Sequence, residues 1–159
     1  MTDYTKDAIL STDRAYRYAL RRYWGNPANG YAVFIGLNPS TADETQDDPT
    51  IRRCIRFAQD WGFGGLCMAN IFAFRATQPE DMKSAPDPIG PENNFYLVQS
   101  ALGAGVVVAA WGVHGTYLNR GDWVRKLLPN LHYLRLTKDG HPGHPLYLPA
   151  NSKPVKWEI

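Results

Sequence analysis

The chain has 159 residues, 44% hydrophobic and 20% charged, with a net charge of +2, which is enough for one domain with its own core and too little for two. No run approaches the roughly 20 apolar residues that span a bilayer, the opening MTDYTKDAIL lacks the apolar core of a secretory signal, and two cysteines make neither a disulfide framework nor a metal cluster alone. The expectation is a single domain over residues 1–159, cytoplasmic, with Cys54 and Cys67 buried and reduced, no membrane partner, and only local contact with any nucleic acid, since duplex binders carry a stronger basic bias.

Residues 16–24 (YRYALRRYW) set Tyr16, Tyr18 and Leu20 against Arg17, Ala19 and Arg21, a period of two that predicts a half-exposed strand, with a short helix as the alternative. Residues 25–30 (GNPANG) are dense turn chemistry. The apolar run 31–35 (YAVFI) then reads as a strand covered on both faces, so these first two strands are expected to pair as an N-terminal hairpin. Asp48-Pro49 opens a helix, Asp as N-cap and Pro at the first helical position. Ile51, Cys54, Ile55 and Ala58 supply its apolar stripe, which ends near Gly62. Residues 66–72 predict a second buried strand, 75–91 a long loop with four prolines, 91–102 a helix and 105–110 the clearest strand. Residues 114–128 predict a helix and 132–136 a last strand, before a tail rich in Gly and Pro.

Strands alternating with helices predict an α/β three-layer sandwich around a mostly parallel central sheet. Ligands in such sheets sit outside the carboxyl ends of the strands, which gathers the loops 36–48, 70–91, 111–115 and 137–149 on one edge.

Those loops hold the chemistry. In Gly36-Leu37-Asn38-Pro39-Ser40-Thr41 glycine permits close backbone approach, proline stiffens the loop, and Asn38 can orient a water or a substrate edge or simply close a turn. Asn70 ends an apolar strand and, if buried, needs partners from a base edge or from loop backbone. Arg75 can bind phosphate or pair with a surface acid. Asp43, Glu44, Asp47 and Asp48 suit a helix N-terminus and match no known ion loop. His141 and His144 stand in a proline-stiffened loop, where an imidazole can donate to a developing anion or bind metal. His132 and His114 read as structural.

The segments Leu37-Asn38-Pro39-Ser40-Thr41-Ala42-Asp43, Asp48-Pro49-Thr50-Ile51-Arg52-Arg53, Asn70-Ile71-Phe72-Ala73 and His144-Pro145-Leu146-Tyr147 resemble the bacterial and phage family called domain of unknown function 1643. The order of motifs is also similar, more distantly, to the uracil-DNA glycosylase superfamily. There a strand ends in Gly-x-(Asp/Asn)-Pro, a second in Asn, a third runs into a Gly loop, and a late loop carries His-Pro. The counterparts here are Gly36-Leu37-Asn38-Pro39, Asn70, residues 106–112 and His144-Pro145.

That resemblance implies a uracil-DNA-glycosylase-like fold and a base flipped into a closed pocket. Asn38 would position the attacking water and His144 would stabilise the departing base. Gly36, Leu37, Pro39, Ser40, Asn70, Phe72, Arg75 and His141 would bind the substrate, with Phe72 or Phe63 stacking on the base. Ser40 stands where the superfamily has Tyr or Gly, so uracil selectivity does not carry over. No apolar wedge is evident after His144, two cysteines cannot hold the iron–sulfur cluster of one branch, and neither cofactor nor metal is implied. The expected activity is hydrolysis of an N-glycosidic bond in single-stranded or modified DNA, or in a nucleotide. The alternatives are a non-catalytic nucleic-acid or nucleotide binding module on the same fold, and a metal-dependent hydrolase using His141, His144 and the acidic run.

Overall fold

A computed structural model describes residues 4–158. One seven-stranded sheet runs through it, formed by β1 (Thr5–Leu10), β2 (Arg17–Tyr23), β3 (Tyr31–Gly36), β4 (Gly65–Asn70), β5 (Val106–Ala109), β6 (His132–Tyr133) and β7 (Val155–Lys156), in the order β1-β2-β4-β3-β5-β6-β7. Helix α1 (Pro49–Asp60) covers one face; α3 (Asn93–Ala101) and α4 (Arg120–Leu127) cover the other, and the short α2 (Pro79–Lys83) interrupts the long loop after β4.

The sheet is mixed, which corrects the expectation of a mostly parallel one. The central β4-β3-β5-β6 pairings are parallel, whereas β1-β2, β2-β4 and β6-β7 are antiparallel. Parallel neighbours need a crossover, and helices supply it between β3, β4 and β5; the short link between β1 and β2 can only fold back.

The N-terminal hairpin likewise differs from the expected one. It joins β1 to β2, while β4 lies between β2 and β3. Its first strand, Thr5–Leu10, was hidden because Lys6 and Asp7 on an edge strand break the apolar pattern. The region 114–128 is not one helix. A 3-10 stretch over Val113–Asn119 ends with Leu118 and Asn119 both left-handed (φ 54°) before α4 begins. The strand expected over 132–136 keeps two residues, and the Gly/Pro-rich tail contributes β7 beside it.

Local signals explain the best-defined element. The Asp48 carboxylate accepts from the Ile51 amide at 2.9 Å, Pro49 takes the first helical position, and Ile51, Cys54, Ile55, Phe57 and Ala58 are buried. Phe57 and Trp61 stack on Phe34 of β3 at centroid separations of 6.2 and 5.6 Å. Both cysteines are free and buried, and burial pushes the two thiols up. Among the described residues no helix is long and apolar enough to cross a membrane.

A buried guanidinium ties the loop after β3 to the hairpin. Arg22, fully buried, donates through Nε to Asp47 at 2.7 Å, through Nη1 to the carbonyls of Asp7 and Arg21, and through Nη2 to those of Asp43 and Gln46. All five N–H groups have an acceptor, the condition for burying an arginine without a large penalty. Burial alone would push the Asp47 carboxyl up, but hydrogen bonds from Tyr4 and Arg22 hold it below the usual carboxylate range.

Candidate functional site

The parallel strands β3 and β4 end together, Gly36 facing Asn70 in register. Outside that edge lies a cleft of about 730 Å³, within the roughly 300–1,000 Å³ typical of small-molecule sites. Gly36, Leu37, Asn38, Pro39 and Ser40 form one wall, Asn70 the floor, and His144, Leu146 and Tyr147 the opposite wall.

The β3 loop is held as a pseudo-strand against residues 71–76, with the amides of Ile71, Phe72 and Ala76 donating to the carbonyls of Gly36, Leu37 and Pro39. Asn38 Nδ2 donates to the carbonyls of Ala76 (2.8 Å) and Pro39 (3.1 Å). Both amide hydrogens are thereby committed, so Oδ1, an acceptor, is the atom it can offer a ligand. Arg75 reaches the carbonyls of Ser40, Thr41 and Arg14 at 3.3–3.5 Å and lines a shallow neighbouring depression. It clamps the loop and does not line the main cleft.

Asn70 is buried, its backbone carbonyl accepts from Asn93 Nδ2 at 2.9 Å, and its own Nδ2 has no partner among the described residues. His144 caps a 3-10 turn over Pro145–Tyr147, its Nδ1 accepting from the Leu146 amide at 3.2 Å. A ring nitrogen that accepts carries no proton, so Nε2 holds it. Burial pushes the His144 pKa below its usual value, only partly offset by the Asp48 charge, and the ring is a neutral Nε2–H donor at pH 7. Arg53, off the apolar stripe of α1, donates to the carbonyls of Pro145 and Leu148 and ties this turn to the helix.

Besides Arg75, the structure separates three residues from this group. Phe72 is buried in the core against Tyr117, and Phe63 packs near Gly30 and Gly105 at the other end of the sheet, so neither can stack on a ligand in the cleft. His141 lines a second cleft of about 260 Å³ with Asp122, Arg125 and Asp139. The acidic run is largely spent on structure: Asp43 closes a turn onto Thr45 and Gln46, Glu44 pairs with Arg14, Asp47 with Arg22, and Asp48 caps α1 while also lining the cleft. Among the described residues no three His, Cys, Asp or Glu side chains are grouped to hold a metal ion.

Among the wall residues not named as site candidates are Arg17, and Trp111 and His114, whose loop 111–115 was expected on this edge. His114 was read as a helix start. Lys83 Nζ lies 3.2 Å from its Nδ1, and because an ammonium only donates, this ring also carries its proton on Nε2. Arg17 was hidden by the even alternation of its strand. In the β1–β2 register Ile9 pairs with Ala19 but Leu10 with Arg17, leaving Tyr18 as an extra residue. This bulge turns Tyr18 onto Tyr96 of α3 and sends the Arg17 guanidinium to the Ala42 carbonyl on the α1 side. Leu146 and Tyr147 also correct the sequence reading: 41% and 84% exposed, they form an apolar projection at the cleft mouth.

No curated protein and no solved structure matches the chain significantly. The family model described as "Protein of unknown function (DUF1643)" matches residues 17–146, a span that opens on Arg17 and contains every cleft residue named above except Tyr147. The chain therefore belongs to that family.

Proposed function

We propose that the protein is a glycosylase-like hydrolase acting on the N-glycosidic bond of a base in DNA or a nucleotide, with a fold of the uracil-DNA glycosylase kind. The observation that carries this reading is the convergence of Asn38, Asn70 and His144, from three separate loops, on one cleft. Asn70 would read the edge of the base with its unpartnered amide. Asn38 Oδ1 would accept from a water and aim its oxygen at the sugar carbon. As the carbon–nitrogen bond breaks and the water oxygen bonds to the sugar carbon, the electron pair passes to the base, the His144 Nε2–H donates to the oxygen where that charge collects, and the proton shed by the water reaches the departing base through solvent. A preorganised donor of this kind contributes about 3 kcal/mol. In a polynucleotide, Leu146 and Tyr147 would occupy the gap left by the extruded base.

The test offers uracil- and modified-base oligonucleotides and mononucleotides and scores released base or abasic sites. Release that falls at least a hundredfold, about 2.7 kcal/mol, in Asn38→Ala and His144→Ala supports the reading. No release across the panel sinks it.

A second reading, a non-catalytic nucleic-acid or nucleotide binding module, is favoured by one observation: both Asn38 amide hydrogens serve the loop itself. Ligand binding that survives Asn38→Ala and His144→Ala, without base release, would select it.

A further inference from the structure

Arg17 and Arg22 lie five residues apart on one strand, and both are buried, at 2% and 0% exposure. Arg22 satisfies all five N–H groups and pairs with Asp47. Arg17 does neither. Its Nη1 donates to the Ala42 carbonyl at 3.0 Å, its Nε has no partner, and among the described residues no carboxylate lies within ion-pair distance. An isolated buried charge is expensive, and its cost shows in the burial that pushes the guanidinium down to about 10.

The surroundings share the same imbalance. Arg17 lines the cleft together with Asn70, whose buried Nδ2 is also unpartnered, and with His114 and His144, both Nε2–H donors. The lining thus presents a buried guanidinium and an unpartnered amide, with Asp48 its one carboxylate. The nearest opposing group, Asp48, lines the same cleft, but its Oδ1 is engaged by the Ile51 amide.

We propose that the cleft recognises a terminal phosphate, with Arg17 as its buried counter-charge. This rests on the nucleotide reading above and narrows it to a mononucleotide that enters phosphate first. Two features select that chemistry. A strand phosphodiester carries chain on both sides and cannot present itself head-on to a group 98% withdrawn from the surface, whereas a phosphate monoester can. A carboxylate favours a bidentate grip on the guanidinium fork, and part of that fork is taken by Ala42; a tetrahedral phosphate accepts donors arriving from separate walls.

The experiment is titration calorimetry on the full chain with 5′-mononucleotides, the matching nucleosides, single-stranded oligonucleotides and inorganic phosphate, with chloride holding ionic strength constant. The expected result is mononucleotide binding about 10- to 100-fold tighter than nucleoside, the range of a hydrogen bond to a charged group, with inorganic phosphate competing. Arg17→Gln is expected to bring mononucleotide affinity down to that of the nucleoside. Should that variant fail to fold, the wild-type comparison still decides. Equal affinity for nucleoside and mononucleotide, preference for the oligonucleotide, or no binding by any probe overturns the proposal. Tight mononucleotide binding without base release overturns the hydrolase reading and leaves this one standing. Base release that ignores both the phosphate and Arg17→Gln does the reverse.

Discussion

Gly36 and Asn70 face each other across the parallel β3–β4 pairing so closely that a Cβ at Gly36 would lie 2.8 Å from Asn70 Oδ1 and 2.9 Å from Met68 Cε. The missing side chain is what leaves Asn70 room to stand in the cleft floor. Gly36→Ala is therefore expected to tilt the Asn70 amide and to cost about 1–3 kcal/mol of stability, as overpacked sites do. Denaturant unfolding reads the second effect. Mononucleotide titration of the folded variant reads the first, as a loss of affinity larger than at a distant core site of equal stability cost.

His144 has two jobs that one substitution can part. Asn is a good cap and lacks an imidazole, so His144→Asn is expected to keep the Pro145–Tyr147 turn while abolishing base release. His144→Ala should lose both, with about 1 kcal/mol less stability.

The pH dependence follows from the same ring. Because burial depresses the pKa of His144, the folded state resists the proton that the unfolded chain accepts near 6.5. The unfolded state then binds more protons, and stability contributed by the neutral ring is lost as pH falls from about 6.5 through the folded value. Protonation at Nδ1 keeps the Nε2–H but breaks the cap on the Leu146 amide, so hydrolysis is expected to be level above pH 6.5, with an acid limb below that value as the turn that aims the donor loosens. A loss of stability on acidification that disappears in His144→Asn, read by urea unfolding on either side of pH 6.5, would confirm the assignment.

Asp47 anchors Arg22, and removing one partner of a buried pair strands the other. Asp47→Ala is expected to cost about 3–5 kcal/mol, visible as a lower midpoint in urea. Since the Asp47 carboxyl is held below the usual range, its contribution is present above about pH 4 and fades as acid titrates the folded carboxylate.

Tyr147 should behave oppositely. Being 84% exposed, it can be cut to Ala within about 0.5 kcal/mol of stability. If it covers the vacated stack in a polynucleotide, oligonucleotide affinity falls and mononucleotide affinity does not.

Helix α1 was legible because its signals are local: Asp48 and Pro49 define its start and the apolar spacing its buried face. The strand order was not, because which strand neighbours β3 is settled by packing across the whole sheet, and nothing in residues 16–35 announces that β4 will insert there. The lining of the cleft was legible where loop chemistry is conspicuous, at Asn38, Asn70 and His144. It failed for Phe72, which the same strand-end logic placed in the cleft although its ring turns into the core. Arg17 was illegible for a different reason, since a bulge leaves no mark on composition or on hydrophobic period.

The extra residue at Tyr18 makes the charge of the cleft a matter of parity. Without the bulge the same residues would alternate evenly, so Tyr18 would turn to the side of Leu20 and α1, and Arg17 into the layer of Ala19 and α3. The chain would keep its arginine, its asparagines and its histidines, and lose the cation that faces the cleft. What a relative must inherit to keep that cation is the bulge in a strand as much as the identity of a residue.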